Sequence, residues 1–126
     1  MSRPRAPILR LGDTLIASVQ EALIDADLLG LRDELVVDVK RYRATGVIID
    51  VTVLDVLDSF AARTLRNIVQ MTQLIGAKTV IVGIQPDVAF AMVQLGLTLK
   101  GTDTALDLED GLARLEVTLG REGRAR

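Results

Sequence analysis

Cysteine and histidine are both missing from the 126 residues, and so is tryptophan. Without cysteine there is no disulfide framework, no thiolate metal site and no thiol nucleophile. Without histidine the commonest general base and metal ligand is gone too, so hydrolase triads and zinc centres are excluded. Aromatic side chains amount to Tyr42, Phe60 and Phe90, too few for the stacking platforms on which single-stranded nucleic acid lies. A net charge of −2 leaves no electrostatic footprint for duplex DNA, and nucleic acid is set aside as a partner. The opening MSRPRAPILRLGD lacks a signal-peptide core, and no apolar run reaches membrane-span length. A cytoplasmic protein away from membranes is therefore expected. Neither a phosphate-binding G-x-x-x-x-G-K-[ST] nor a G-x-G-x-x-G stretch occurs, so nucleotide binding has no motif behind it. With no base, nucleophile pair or phosphate loop, a non-enzymatic protein without metal or cofactor is the expectation.

What is present is the balance of one globular domain, 49% hydrophobic and 25% charged, long enough for a real core and too short for a comfortable second one. The charge is unevenly placed. Three arginines fall in residues 1–10 and three more in 121–126, so the stretch between them holds nine basic against sixteen acidic side chains. An acidic body carries two short basic ends, 1–5 and 120–126, which are read as solvated tails.

Along the chain, Ile8 to Gln20 alternates imperfectly around Gly12-Asp13 and reads as a hairpin. From Asp25 to Arg43 the residues Leu28, Leu31, Leu35, Val39 and Tyr42 recur at helical spacing, with Gly46 just past the end. Val47 to Val51 and Thr79 to Val82 are β-branched runs without alternation, as in strands buried on both faces. Between them Ser59 to Ile75 reads as a helix with Leu65, Ile68, Val69, Thr72 and Ile75 inward and Gly76 as its cap. A further helix starts at Pro86, its face lined by Val88, Met92 and Leu95 until Gly96. An extended piece within Thr98 to Leu106 precedes a last helix, Asp107 to Leu119, with the stripe Leu108, Leu112, Leu115 and Leu119. The class is α/β: a small, mostly parallel central sheet flanked by about four helices.

In such a fold, sites gather outside the carboxyl ends of the strands, where helix N-termini converge. Two loops qualify, Thr52 to Asp58 and Gly83 to Pro86. The first runs Asp50-Val51-Thr52-Val53-Leu54-Asp55-Val56-Leu57-Asp58-Ser59-Phe60, with three carboxylates and a serine at a helix start. Asp58 or Ser59 can serve as an N-cap, with the other carboxylates solvated. Ser59 can equally be a phosphoacceptor, because a phosphate there meets free amides and adds about 1.5 to 2 negative charges among Asp50, Asp55 and Asp58. Of the three serines, Ser2 falls in a tail and Ser18 in the middle of a hairpin strand; Thr52 is the competitor within the loop. The three aspartates also raise a receiver-like Mg²⁺ site, but a receiver wants an acidic pair after its first strand and a lysine near its last, and Gly12-Asp13 and Lys100 match poorly. Gly83-Ile84-Gln85-Pro86 has a structural use as a turn into a helix; as the turn after the neighbouring strand it also borders the Ser59 loop.

The runs Gly46-Val47-Ile48-Ile49-Asp50, Leu57-Asp58-Ser59-Phe60-Ala61, Leu74-Ile75-Gly76-Ala77-Lys78 and Gly83-Ile84-Gln85-Pro86 resemble the STAS domain family, named for sulfate transporters and anti-sigma factor antagonists. Thr104 to Leu112 and Pro7 to Leu11 extend the resemblance toward the S-type proteins of the bacterial stressosome, over residues 6–119. That resemblance implies a single STAS domain acting as a scaffold, co-assembled with larger R-type STAS regulators into a signalling particle. The particle captures a switch-type serine kinase and releases it on phosphorylation, with a cognate phosphatase resetting the state. The family phosphoserine falls on Ser59. Asp50, Asp55, Asp58, Phe60, Gln85 and Pro86 would then form the partner-binding surface, and self-association is implied. A free anti-sigma factor antagonist switched at the same serine is the alternative. Such proteins commonly carry a small residue and glycine after the phosphoserine, where this chain has Phe60-Ala61.

Overall fold

The computed structural model describes residues 7–19, 25–97 and 102–120. The expected basic tails, apart from Gly120, lie outside the described residues, as do Gln20 and the first half of the expected extended piece. The chain begins with a hairpin of β1 (Ile8–Leu11) and β2 (Thr14–Ser18), closed by Gly12 at a φ of 62°. There follow α1 (Asp25–Tyr42), β3 (Gly46–Asp50), α2 (Ser59–Leu74), β4 (Lys78–Val82), α3 (Pro86–Gln94), β5 (Asp103–Ala105) and α4 (Leu108–Thr118). The strands lie in the order β1-β2-β3-β4-β5. Only the hairpin is antiparallel; β2, β3, β4 and β5 run parallel, with Ile16 opposite Ile48 and Ile48 opposite Val80. The expected mostly parallel α/β sheet with four helices is what forms.

Period-two alternation sorts the strand side chains onto two faces. Leu15, Ala17, Val47, Ile49, Val51 and Ile81 meet Leu28, Leu31, Leu35 and Val39 of α1 and Leu65, Ile68 and Val69 of α2. Each such buried aliphatic side chain contributes about 1.5–3 kcal/mol, so this face dominates the stability. On the other face Ile16, Ile48, Val80 and Val82 are covered by Leu115 and Leu112 of α4. Gly111 permits that docking, since a Cβ there would lie 2.6 Å from Val82 Cγ1.

Four expected inward residues are exposed instead. Tyr42 is 38% exposed, with the Arg10 guanidinium 4.3 Å from its ring centroid. Ile75 and Leu95 occupy the C-cap positions of α2 and α3, and Leu108 is the first residue of α4; all three are exposed. Each sits at a helix end, where the apolar stripe runs on in sequence beyond the turns that rest on the sheet. Gly46, past the end of α1, opens β3; Arg43, at a φ of 51°, makes the left-handed turn after the helix. Ser18 is the last residue of β2 rather than a central one.

Candidate functional site

The carboxyl ends of β3 and β4 carry the two loops singled out above. After β3 the chain stays tied to β4 for one residue, Val51 N–H donating to the Val82 carbonyl at 3.0 Å. It then turns, and the Asp50 carboxylate accepts from both the backbone N–H and the hydroxyl of Thr52. This is the local competition that aspartate wins at strand ends. Leu57 is buried and anchors the far end of the loop. Val53, Asp55 and Val56 between these anchors face solvent, Val56 at 72% exposure.

Asp58 is the N-cap of α2, with an extended backbone and its carboxylate accepting from Ala61 N–H at 2.8 Å. Of the two residues that could have capped, the aspartate does so. Ser59, now the first helical residue, is exposed, and no described residue engages its hydroxyl. Phe60 is half-buried and its carbonyl accepts from the Thr64 hydroxyl at 2.9 Å.

The second loop touches the first. Gly83 adopts a φ of 79°, and a Cβ at that position would fall 2.0 Å from Thr52 Oγ1, so only glycine fits the approach. Gln85 occupies the N-cap position of α3 without capping it; its amide instead donates to the Thr52 carbonyl at 2.6 Å. Pro86 follows at N1, exposed, where its missing N–H is no loss. Asp50, Thr52 and Gln85 thus form one hydrogen-bonded chain across the two loops. Thr52, the competing acceptor, has its hydroxyl committed to Asp50, whereas no described residue holds that of Ser59.

Asp50, Asp55 and Asp58 do not converge: among the described residues no three carboxylates are placed to hold a metal ion. Two residues that the sequence reading passed over do converge on Ser59. Arg63 and Arg66, with Ser59, Ala62, Leu95 and Leu97, line a shallow pocket of about 190 Å³. Their signal is spacing, since four and seven residues past Ser59 fall on one helical face.

A protein-family model described as "STAS domain" matches residues 5–110. RsbRA of Bacillus subtilis strain 168, an RsbT co-antagonist, is 32% identical over 100 residues, covering 71% of this chain but 35% of RsbRA. The chain therefore spans about a third of that relative. Among solved structures, a serine-to-glutamate variant of RsbS from Moorella thermoacetica superposes with a TM-score of 0.84 at 32% identity, covering 93% of this chain and 99% of that one. A chain of the stressosome, described as a signal integration and transduction hub, superposes at 0.81 with 36% identity, over 91% and 99%. Among the described residues no helix is long and apolar enough to cross a membrane.

Proposed function

The chain belongs to the STAS domain family, and from that premise we propose that it is a non-enzymatic, cytoplasmic scaffold of a bacterial stressosome. In this reading it co-assembles with R-type STAS regulators, captures a switch-type serine kinase and releases it when Ser59 is phosphorylated. The observation that carries the reading is Ser59 itself: exposed at the first turn of α2, its hydroxyl unengaged while Asp58 does the capping. Likeness along nearly the whole length to RsbS and to a stressosome chain supports the assembly.

In the transfer step the Ser59 hydroxyl oxygen forms a bond to the γ-phosphorus of ATP, the bond from that phosphorus to ADP breaks, and the hydroxyl proton passes to a base on the kinase. A partner docked on Asp55, Asp58, Phe60, Gln85 and Pro86, over Asp50, would then face a new dianion. At a wet surface each unfavourable charge pair costs about 1 kcal/mol, and more where docking excludes water. A cognate phosphatase would restore the capturing state.

The test combines phosphosite mapping with kinase capture. Phosphate should appear on Ser59 and rise with stress, Ser59→Ala should keep the kinase bound, and Ser59→Asp should release it incompletely because it carries one charge. Equal kinase affinity for all three forms would remove the mechanism. Mixing with an R-type protein should give a very large particle; a chain that stays small with its phosphoswitch intact would be a free anti-sigma factor antagonist.

A further inference from the structure

We infer that Arg63 and Arg66 form an intramolecular receptor for the phosphate carried by residue 59. The inference rests on the reading of Ser59 as the acceptor and specifies where the phosphate goes. Ser59, Ala62, Arg63 and Arg66 stand at i, i+3, i+4 and i+7 on α2, so all four share one face. That face forms one side of the pocket, and Leu95 and Leu97, from the segment after α3, form the other. Among the described residues the lining thus contains two guanidinium groups, no carboxylate and the serine hydroxyl.

Neither arginine is spent elsewhere. Among the described residues neither Arg63 nor Arg66 has a hydrogen-bond or ion-pair partner. Two long side chains with planar donor forks and no partner among the described residues therefore line the same pocket as the Ser59 hydroxyl. A phosphate oxygen array accepts such forks bidentately, and an anion placed four residues before a cation is the favourable order along a helix. Asp58 lies next in sequence but directs its carboxylate to Ala61 N–H.

The consequence changes what a partner meets. Unmodified, the surface offers two free cations beside Ser59; phosphorylated, it offers neither, because the dianion has drawn both onto itself. Release then follows from withdrawn positive charge as well as from added negative charge.

The test needs no kinase. Phosphoserine is installed at position 59 of the full chain by genetic encoding, and its phosphorus resonance is followed against pH. Free phosphoserine loses its second proton near pH 6. Held by two arginines, the dianion is favoured, and the midpoint should fall by about half a unit or more. Arg63→Gln with Arg66→Gln should raise it back toward the ordinary value, while Arg114→Gln, which removes one positive charge from α4 on the other sheet face, should leave it lowered. An unchanged midpoint in the double variant would overturn the inference, as would an equal effect of Arg114→Gln. If instead Ser59 is never phosphorylated in cells, mapping reveals that separately, and the titration stands or falls on its own.

Discussion

The two ends of the parallel strands are built to different rules. At the amino ends the connections are closed by backbone: Thr45 and Gly46 N–H both donate to the Asp13 carbonyl, and Lys78 N–H donates to that of Thr45. The Thr45 hydroxyl adds a bond to the Asp13 carboxylate at 2.8 Å. At the carboxyl ends the backbone of the β3–α2 loop leaves the sheet after Val51, and side chains take over, with Asp50, Thr52 and Gln85 joined in a short chain. Around that chain Val53, Asp55, Val56, Ser59 and Pro86 stand in solvent. The amino end is a seam that fixes register; the carboxyl end is a platform whose exposed groups are available to a partner.

Inserting a side chain at the seam of the platform should be the most damaging change. Gly83→Val combines a positive φ with a Cβ that collides with Thr52, and it should destabilise the fold on the order of 3 kcal/mol, read as a shifted urea midpoint. A loss below 1 kcal/mol would mean that the two loops are not locked together. At the amino end, Thr45→Val removes a hydroxyl donor to the half-buried Asp13 carboxylate and should cost about 1–2 kcal/mol in the same assay. Its effect on kinase capture should be nil, because no residue of the platform moves; impaired capture would erase the distinction between the ends.

The centre of the sheet is legible because two of its strands are β-branched runs: Val47 to Val51 and Thr79 to Val82 fall within one residue of β3 and β4. The helix centres were legible for the same reason of period: Leu28, Leu31, Leu35 and Val39 are all buried. Periodicity fails at ends, where Tyr42, Ile75, Leu95 and Leu108 fit the stripe but have no sheet beneath them. At the site, adjacency of the two loops followed from parallel order, while the identity of the cap between Asp58 and Ser59 stayed open until backbone geometry decided it. Arg63 and Arg66 belong to no motif that would set them apart in the sequence. Their place in a pocket depends on Leu95 and Leu97, which lie 29 to 34 residues further along the chain, a tertiary fact that no local pattern carries.

The cap offers a finer cut through the platform. Asp58→Ala frees Ala61 N–H and should cost about 1 kcal/mol, measurable by denaturation. Asp58→Asn, which can still accept that bond, should recover most of the loss. If both variants bind the kinase alike, Asp58 serves the helix alone; if Asp58→Asn is stable but binds differently, the charge is also read by the partner.

The smallest effect belongs to Asp55. It is exposed and makes no hydrogen bond or ion pair with any described residue, so Asp55→Asn should change stability by less than about 0.5 kcal/mol. Such silence in folding is what isolates its charge as a binding determinant. A rim carboxylate acts mainly on encounter, so the substitution should alter the association rate with the kinase and weaken that rate's dependence on salt, leaving dissociation nearly unchanged. Association kinetics at two ionic strengths would show it. Identical rates and salt slopes for both forms would place Asp55 outside the docking surface and shrink the platform to the bonded pair of loops and the first turn of α2.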